Sequence, residues 1–121
     1  MDKSKVDYIM NVLRLGTLTW QGRNEVFKLA RKQVLEGHTK SGKPIYKYYW
    51  KCAVCHEWSR DIKNFEADHI VEIGGFKGSW DAIIDRMYAD PSTGWQCLCL
   101  KCHAKKTAAY NAAALFERKR K

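Results

Sequence analysis

No stretch of this 121-residue chain approaches the roughly 20 consecutive apolar residues that cross a bilayer, so no membrane-spanning helix is expected. Residues 1–16 also lack the unbroken apolar core and small-residue cleavage site of a secretory signal, and a cytoplasmic location is expected. Acidic residues are scarce, 13 Asp and Glu against 22 Lys and Arg, for a net charge of +9. That balance excludes an acidic disordered activator and favours a polyanionic partner, with nucleic acid foremost. Apolar residues are not scarce. They make up 45% of the chain, with five Trp, six Tyr and four Phe, which excludes a disordered basic tail. The length suits a single domain, 1–121, small enough that a crosslink or bound metal adds usefully to its stability. Five cysteines, an odd number in a reducing compartment, read as metal ligands before they read as a disulfide framework.

The charge is unevenly placed. Residues 1–27 carry a net +1, 28–51 carry +6, 52–100 carry −4 and 101–121 carry +6. Two basic segments around an acidic middle suggest phosphate-gripping arms flanking a place where carboxylates meet a cation. Val6, Ile9, Met10 and Leu13 recur at helical spacing, as do Phe27, Ala30 and Val34, and predict helices near 3–15 and 23–36. From His38 to Lys51 the period changes to two around a Ser41-Gly42 turn, which predicts a β-hairpin with a basic arm. Its aromatics Tyr46, Tyr48 and Trp50 are expected in the core, with the lysines facing a ligand. A second β-compatible run, Phe65 to Ile73, ends at Gly74-Gly75, and a β-hairpin is expected around 65–75. Trp80, Ile83, Ile84, Met87 and Tyr88 predict a short helix ahead of Pro91. A last helix from about Leu100 to Arg118 presents Ala108, Ala112, Leu115 and Phe116 on one face.

Cys52-Ala53-Val54-Cys55 and Cys99-Leu100-Lys101-Cys102 form two Cys-x-x-Cys pairs 43 residues apart. Each pair can chelate from a tight knuckle, and together they supply the four thiolates of a tetrahedral structural Zn²⁺. Four sulfur ligands leave no position for water, so such an ion staples and does not catalyse. Cys97 is left over as a small buried hydrophobe. His56 and His103 follow the two pairs, so each reads formally as Cys-x-x-Cys-His, the attachment motif of c-type haem. That chemistry belongs to exported chains and stands as a minor alternative. His56-Glu57 opens a metalloprotease-like pattern, but Arg60 occupies the place of the second histidine.

The other constellation is Asp68-His69 in Phe65-Glu66-Ala67-Asp68-His69-Ile70-Val71, together with His103 beside the last zinc ligand. A carboxylate and two imidazoles suit a divalent cation plus a general base. Strict strand alternation points Asp68 and His69 to opposite faces, so a shared site requires the pleat to end or bulge there.

The ordered set Cys52-x-x-Cys55, Asp68-His69-Ile70 and Leu98-Cys99-x-x-Cys102-His103-x-x-Lys106-Thr107 resembles the HNH endonucleases of the ββα-metal (His-Me finger) fold, especially the small phage-type members with a four-cysteine zinc site. The resemblance covers about residues 52–107. It implies a zinc-stapled catalytic core at 52–107 and matches 1–51 only loosely; with the helical and basic hairpin leader read at 1–51 and the basic helix end at 108–121, an α+β fold is expected. It further implies that His69 is the general base, that Asp68 and His103 hold one catalytic divalent cation such as Mg²⁺, and that Cys52, Cys55, Cys99 and Cys102 hold Zn²⁺. The reaction implied is hydrolysis of DNA phosphodiesters, leaving a 3′-hydroxyl and a 5′-phosphate. Such a reaction needs a base to deprotonate water and a Lewis acid for the charge that grows on the phosphoryl oxygens. Lys43, Lys47, Lys105 and Lys106 are candidate phosphate contacts. Gly94 stands where the family carries its middle Asn, a brace for the base, and Thr93 or Gln96 are the candidates to replace it. The competing reading is a non-catalytic zinc-ribbon protein that binds nucleic acid.

Overall fold

The computed structural model describes residues 2–120 and shows a mixed α+β protein. Its elements run α1 (Lys3–Thr17), α2 (Gln21–Leu29), β1 (Arg31–His38), β2 (Pro44–Lys51), β3 (Trp58–Ser59), a 3-10 turn (Ile62–Asn64), β4 (Phe65–His69), α3 (Trp80–Met87), β5 (Trp95–Cys99) and α4 (Leu100–Arg120). The chain divides into two compact units, Met1–Leu29 with Ala67–Gln96, and Ala30–Glu66 with Cys97–Lys121. Among the described residues no helix is long and apolar enough to cross a membrane.

In the first unit α1 starts where Asp2 accepts a hydrogen bond from the Lys5 N–H at 2.9 Å, an N-cap of the kind that contributes about 1 kcal/mol. The 6, 10, 13 spacing then aims Val6, Met10 and Leu13 at one side, where Met10 packs with the fully buried Ile83 and Met87 of α3. Burying side chains of this size is worth about 1.5–3 kcal/mol each. Ser79 caps α3 by accepting from the Ala82 N–H at 3.2 Å. Tyr88, which follows the helix, donates its hydroxyl to the Leu13 carbonyl at 2.7 Å. Gly16 makes room for that tie, since a Cβ there would lie 2.4 Å from the Tyr88 hydroxyl.

In the second unit β1 and β2 form an antiparallel hairpin around the expected Ser41-Gly42 turn, but its first strand begins at Arg31 where the sequence suggested helix; it runs from Arg31 opposite Trp50 to His38 opposite Pro44. The turn closes through Thr39, whose N–H donates to the Lys43 carbonyl at 2.8 Å, and through Gly42, whose φ of 88° lies where side chains are disfavoured. A bulge between Leu35 and Gly37 leaves Glu36 as the extra residue of β1. The short β3 adds to β2 with Trp50 opposite Ser59 and Lys51 opposite Trp58.

Four expectations are corrected. Residues 31–36 are not the end of a helix: α2 stops at Leu29 and β1 follows. The three apolar positions that suggested a helix were too few to outweigh pairing with β2, which satisfies the backbone of both segments. The hairpin expected around 65–75 does not form either. β4 pairs instead with β5, about 25 residues downstream, and α3 lies between them in sequence. Tyr46 and Tyr48 are not core residues, being 51% and 41% exposed, whereas Trp50 on the same face is half-buried. Finally, Ala108, Ala112, Leu115 and Phe116 of α4 are all exposed.

Candidate functional site

The four cysteines converge within the second unit. Cys52 follows the last residue of β2, Cys55 lies in the loop that turns back toward β3, Cys99 is the last residue of β5, and Cys102 lies in the first turn of α4. Their four Sγ atoms all lie within 4.8 Å of one another, and those of Cys55 and Cys99 are 3.8 Å apart. A tetrahedral ion with metal–sulfur arms of about 2.3 Å requires edges of about 3.8 Å, so the quartet could hold a metal ion such as zinc.

The two knuckles share one construction. The Cys55 N–H donates to Cys52 Sγ at 3.5 Å, and the Cys102 N–H donates to Cys99 Sγ at 3.4 Å. Each leading sulfur is thereby held toward the centre by the backbone of its partner. The first knuckle is closed further by the Cys52 N–H to the Glu57 carbonyl and the His56 N–H to the Cys52 carbonyl, both 3.0 Å. His56 takes a left-handed φ of 65° to make that closure. The Ala53 N–H donates to the Cys97 carbonyl at 2.8 Å and ties the first knuckle to β5. Cys97 therefore contributes its backbone, while its side chain is buried and lies outside the quartet.

The thiols differ in their proton affinity. Burial pushes Cys52 up, but the backbone N–H groups of Cys99, Cys55 and Val54 outweigh it and bring the thiol down to about 6. Cys102 is pushed up to about 12 by its hydrogen bond with Cys99 and by burial. Burial, followed by the charges of Cys52 and Cys99, pushes Cys97 to about 12, so it stays a neutral thiol. One thiolate is ready for a cation, and binding must displace protons from others.

Asp68 and His69 lie in the first unit, at the end of β4. Contacts there step in opposite directions along the two segments, as in an antiparallel pair. The Ile70 N–H donates to the Gly94 carbonyl at 3.0 Å, the His69 ring lies 3.7 Å from that of Trp95, and Gln96 Nε2 donates to Asp68 Oδ2 at 3.0 Å. Asp68 with Gln96 and His69 with Trp95 are thus the cross-strand pairs of the two faces, as alternation requires. His69 is the last residue of β4, so the pleat ends there. Asp68 is 8% exposed. His69 Nε2 lies 2.8 Å from the Met87 carbonyl, which can only accept, so Nε2 carries the proton and a neutral ring keeps its lone pair on Nδ1.

The remaining candidates belong to the second unit. His103 is the fourth residue of α4 and is half-buried. Lys105 lines the groove of the cysteine quartet, and Lys106 is half-buried beside it in sequence. Lys43 is exposed in the hairpin turn, and Lys47 is exposed on β2 opposite Val34.

Gly94 is fixed by packing. A Cβ at that position would lie 2.4 Å from the Ala89 Cβ, so an Asn could enter only if the Asp90–Gly94 turn moved. The brace expected from Thr93 or Gln96 divides into two. Gln96 holds Asp68, and the Met87 carbonyl holds His69. A backbone carbonyl leaves no mark in a sequence, so Met87 could be found only in three dimensions. Comparison with known protein families, with curated proteins and with solved structures gives no match.

Proposed function

We propose that the protein is a metal-dependent DNA endonuclease with His69 as general base. The observation that carries this reading is the orientation of His69 by the Met87 carbonyl, which puts the proton of a neutral ring on Nε2 and makes Nδ1 its basic nitrogen. It is supported by the Asp68 carboxylate one residue earlier, by the strand pair β4 and β5 running directly into α4, and by the net charge of +9. In this reading Asp68 and His103 are the ligands of a catalytic divalent cation such as Mg²⁺, as the resemblance to HNH endonucleases implies. That ion would supply Lewis acidity toward the phosphoryl oxygens. Zn²⁺ on Cys52, Cys55, Cys99 and Cys102 is structural, because four sulfur ligands leave it no open position. Lys43, Lys47, Lys105 and Lys106 supply phosphate affinity that carries no sequence information.

A second reading, a zinc-ribbon nucleic-acid binder without catalysis, is favoured by one contact. Asp68 is nearly buried and accepts from Gln96, a satisfied structural carboxylate. Supercoiled plasmid separates the two. With Mg²⁺ the wild type is expected to convert it to open-circular or linear product, and His69→Ala to do so at least 100-fold more slowly, the lower range for loss of a general base. Intact plasmid with both proteins selects the binder, and equal cutting by both removes His69 as the base.

A further inference from the structure

The three-stranded sheet of the second unit has two different faces. Residues directly opposite one another in an antiparallel pair share a face, so Lys32 with Tyr49, Val34 with Lys47, and Lys51 with Trp58 lie on one side. Gln33 with Tyr48 and Leu35 with Tyr46 lie on the other. On that other face the Arg31 guanidinium sits 3.9 Å above the Tyr48 ring and covers it.

The first face is built differently. Lys32, Val34, Tyr49 and Trp58 line a groove of about 210 Å³. Trp58 is 46% exposed, and the Nζ atoms of Lys32 and Lys51 stand 6.0 and 5.7 Å from its ring centroid. Both ammonium groups lie over the indole at the outer limit of a cation–π contact, which at an exposed site is worth no more than the stacked base that would displace them. Lys47 adds a third cation to the same face. The acidic Glu36 is already engaged, accepting from the Tyr49 hydroxyl at 2.6 Å and paired with Arg60 at 3.3 Å. A half-exposed indole in a shallow groove, with two cations at its ring and a third farther along the same face, matches a planar base joined to phosphates. The groove is smaller than the roughly 300–1,000 Å³ pockets that enclose drug-sized ligands, so it suits one ring laid on Trp58.

We propose that this face binds single-stranded DNA, with one base stacked on Trp58 and the neighbouring phosphates on Lys32, Lys47 and Lys51. A duplex keeps its bases stacked within the helix and cannot present one to the indole, so unpaired DNA is the form this surface selects. The inference does not rest on the proposed cleavage, although Lys47 is shared with the phosphate contacts of that reading.

The test is anisotropy of a labelled 15-nucleotide oligo-dT on the full chain, without added Mg²⁺, so that cleavage plays no part. Trp58→Ala is expected to bind about 5- to 150-fold more weakly, the range for losing a stacking aromatic, and Trp58→Phe to retain most of the affinity. Lys32→Ala with Lys51→Ala is expected to flatten the dependence of log affinity on log salt by about 0.7 for each phosphate that is no longer neutralised. Tyr46→Ala, on the opposite face, should leave binding unchanged. Far-UV circular dichroism and metal content of each variant confirm that folding is intact. Wild-type affinity in folded Trp58→Ala, an equal loss in Tyr46→Ala, or a loss in Trp58→Ala that is as large for a 15-base-pair duplex as for the single strand would each overturn the proposal. Inactivity on plasmid with Trp58-dependent oligo-dT binding would sink the nuclease reading alone.

Discussion

His69 donates its Nε2 proton to the Met87 carbonyl across 2.8 Å, and the centroid of the same imidazole lies 3.7 Å from that of the Trp95 ring, the two planes tilted by 38°. The ring is fixed in tautomer and in plane by groups that are not titratable. In a ¹⁵N-labelled sample at pH 8, long-range proton–nitrogen spectra of His69 should therefore show a protonated Nε2 and an unprotonated Nδ1. The opposite tautomer would remove the reason for naming His69 as the base.

Zinc is expected at about one ion per chain, bound through the quartet. Cys99→Ser should lower metal content and also the melting temperature, because ion binding and folding are linked. Cys97→Ala should keep the ion, since its side chain lies outside the quartet, and lose about 1 kcal/mol or somewhat more of packing. Elemental analysis with a thermal melt checks both. Equal metal content in Cys99→Ser and wild type would mean the ligands are misassigned.

Gly94→Ala places a Cβ 2.4 Å from that of Ala89 and is expected to destabilise by about 1–3 kcal/mol. Ala89→Gly removes the opposing atom, so the double variant should regain part of the loss. A urea titration of all four proteins measures the coupling, and strict additivity would show that the clash is relieved elsewhere.

Gln96→Glu sets a second carboxylate where the amide now donates to Asp68 at 3.0 Å. At neutral pH the two charges repel, and as pH falls one proton can be taken up and shared between them. Stability lost by Gln96→Glu relative to wild type should thus be larger at pH 7.5 than at pH 5. A deficit that does not change with pH would indicate that the Asp68–Gln96 contact does not form in solution.

The cysteine quartet was legible in the sequence because chelation by each pair is local: two intervening residues bring both sulfurs of a knuckle to one ion wherever the knuckle sits. Helices α1 and α3 were legible for a similar reason, their apolar residues being spaced for a single face. What the sequence hid was non-local. The β1 segment reads as helical until β2 supplies its hydrogen bonds, and β4 finds its partner across the whole of α3. Tyr46 and Tyr48 carry the pattern of buried residues, yet burial requires a second layer, and composition does not say whether one is present. Around His69, Gln96 was legible as a possible brace, although the residue it holds is Asp68. Trp58 is inconspicuous in the sequence because its meaning depends on the lysines that pairing aligns beside it.

The residue before the first turn of α4 is Cys99, and its sulfur accepts the N–H of Cys102, three positions on, which is the bond a Ser or Asp makes at an ordinary helix start. The first turn is the entropically expensive step of helix formation, and α4 continues for 21 residues with little buried surface to hold it. A cation gripped by Cys99 and Cys102 would hold that turn ready-made. Stripping the ion with an external chelator should then loosen α4 at its first turn, a change that far-UV circular dichroism would read as lost helix.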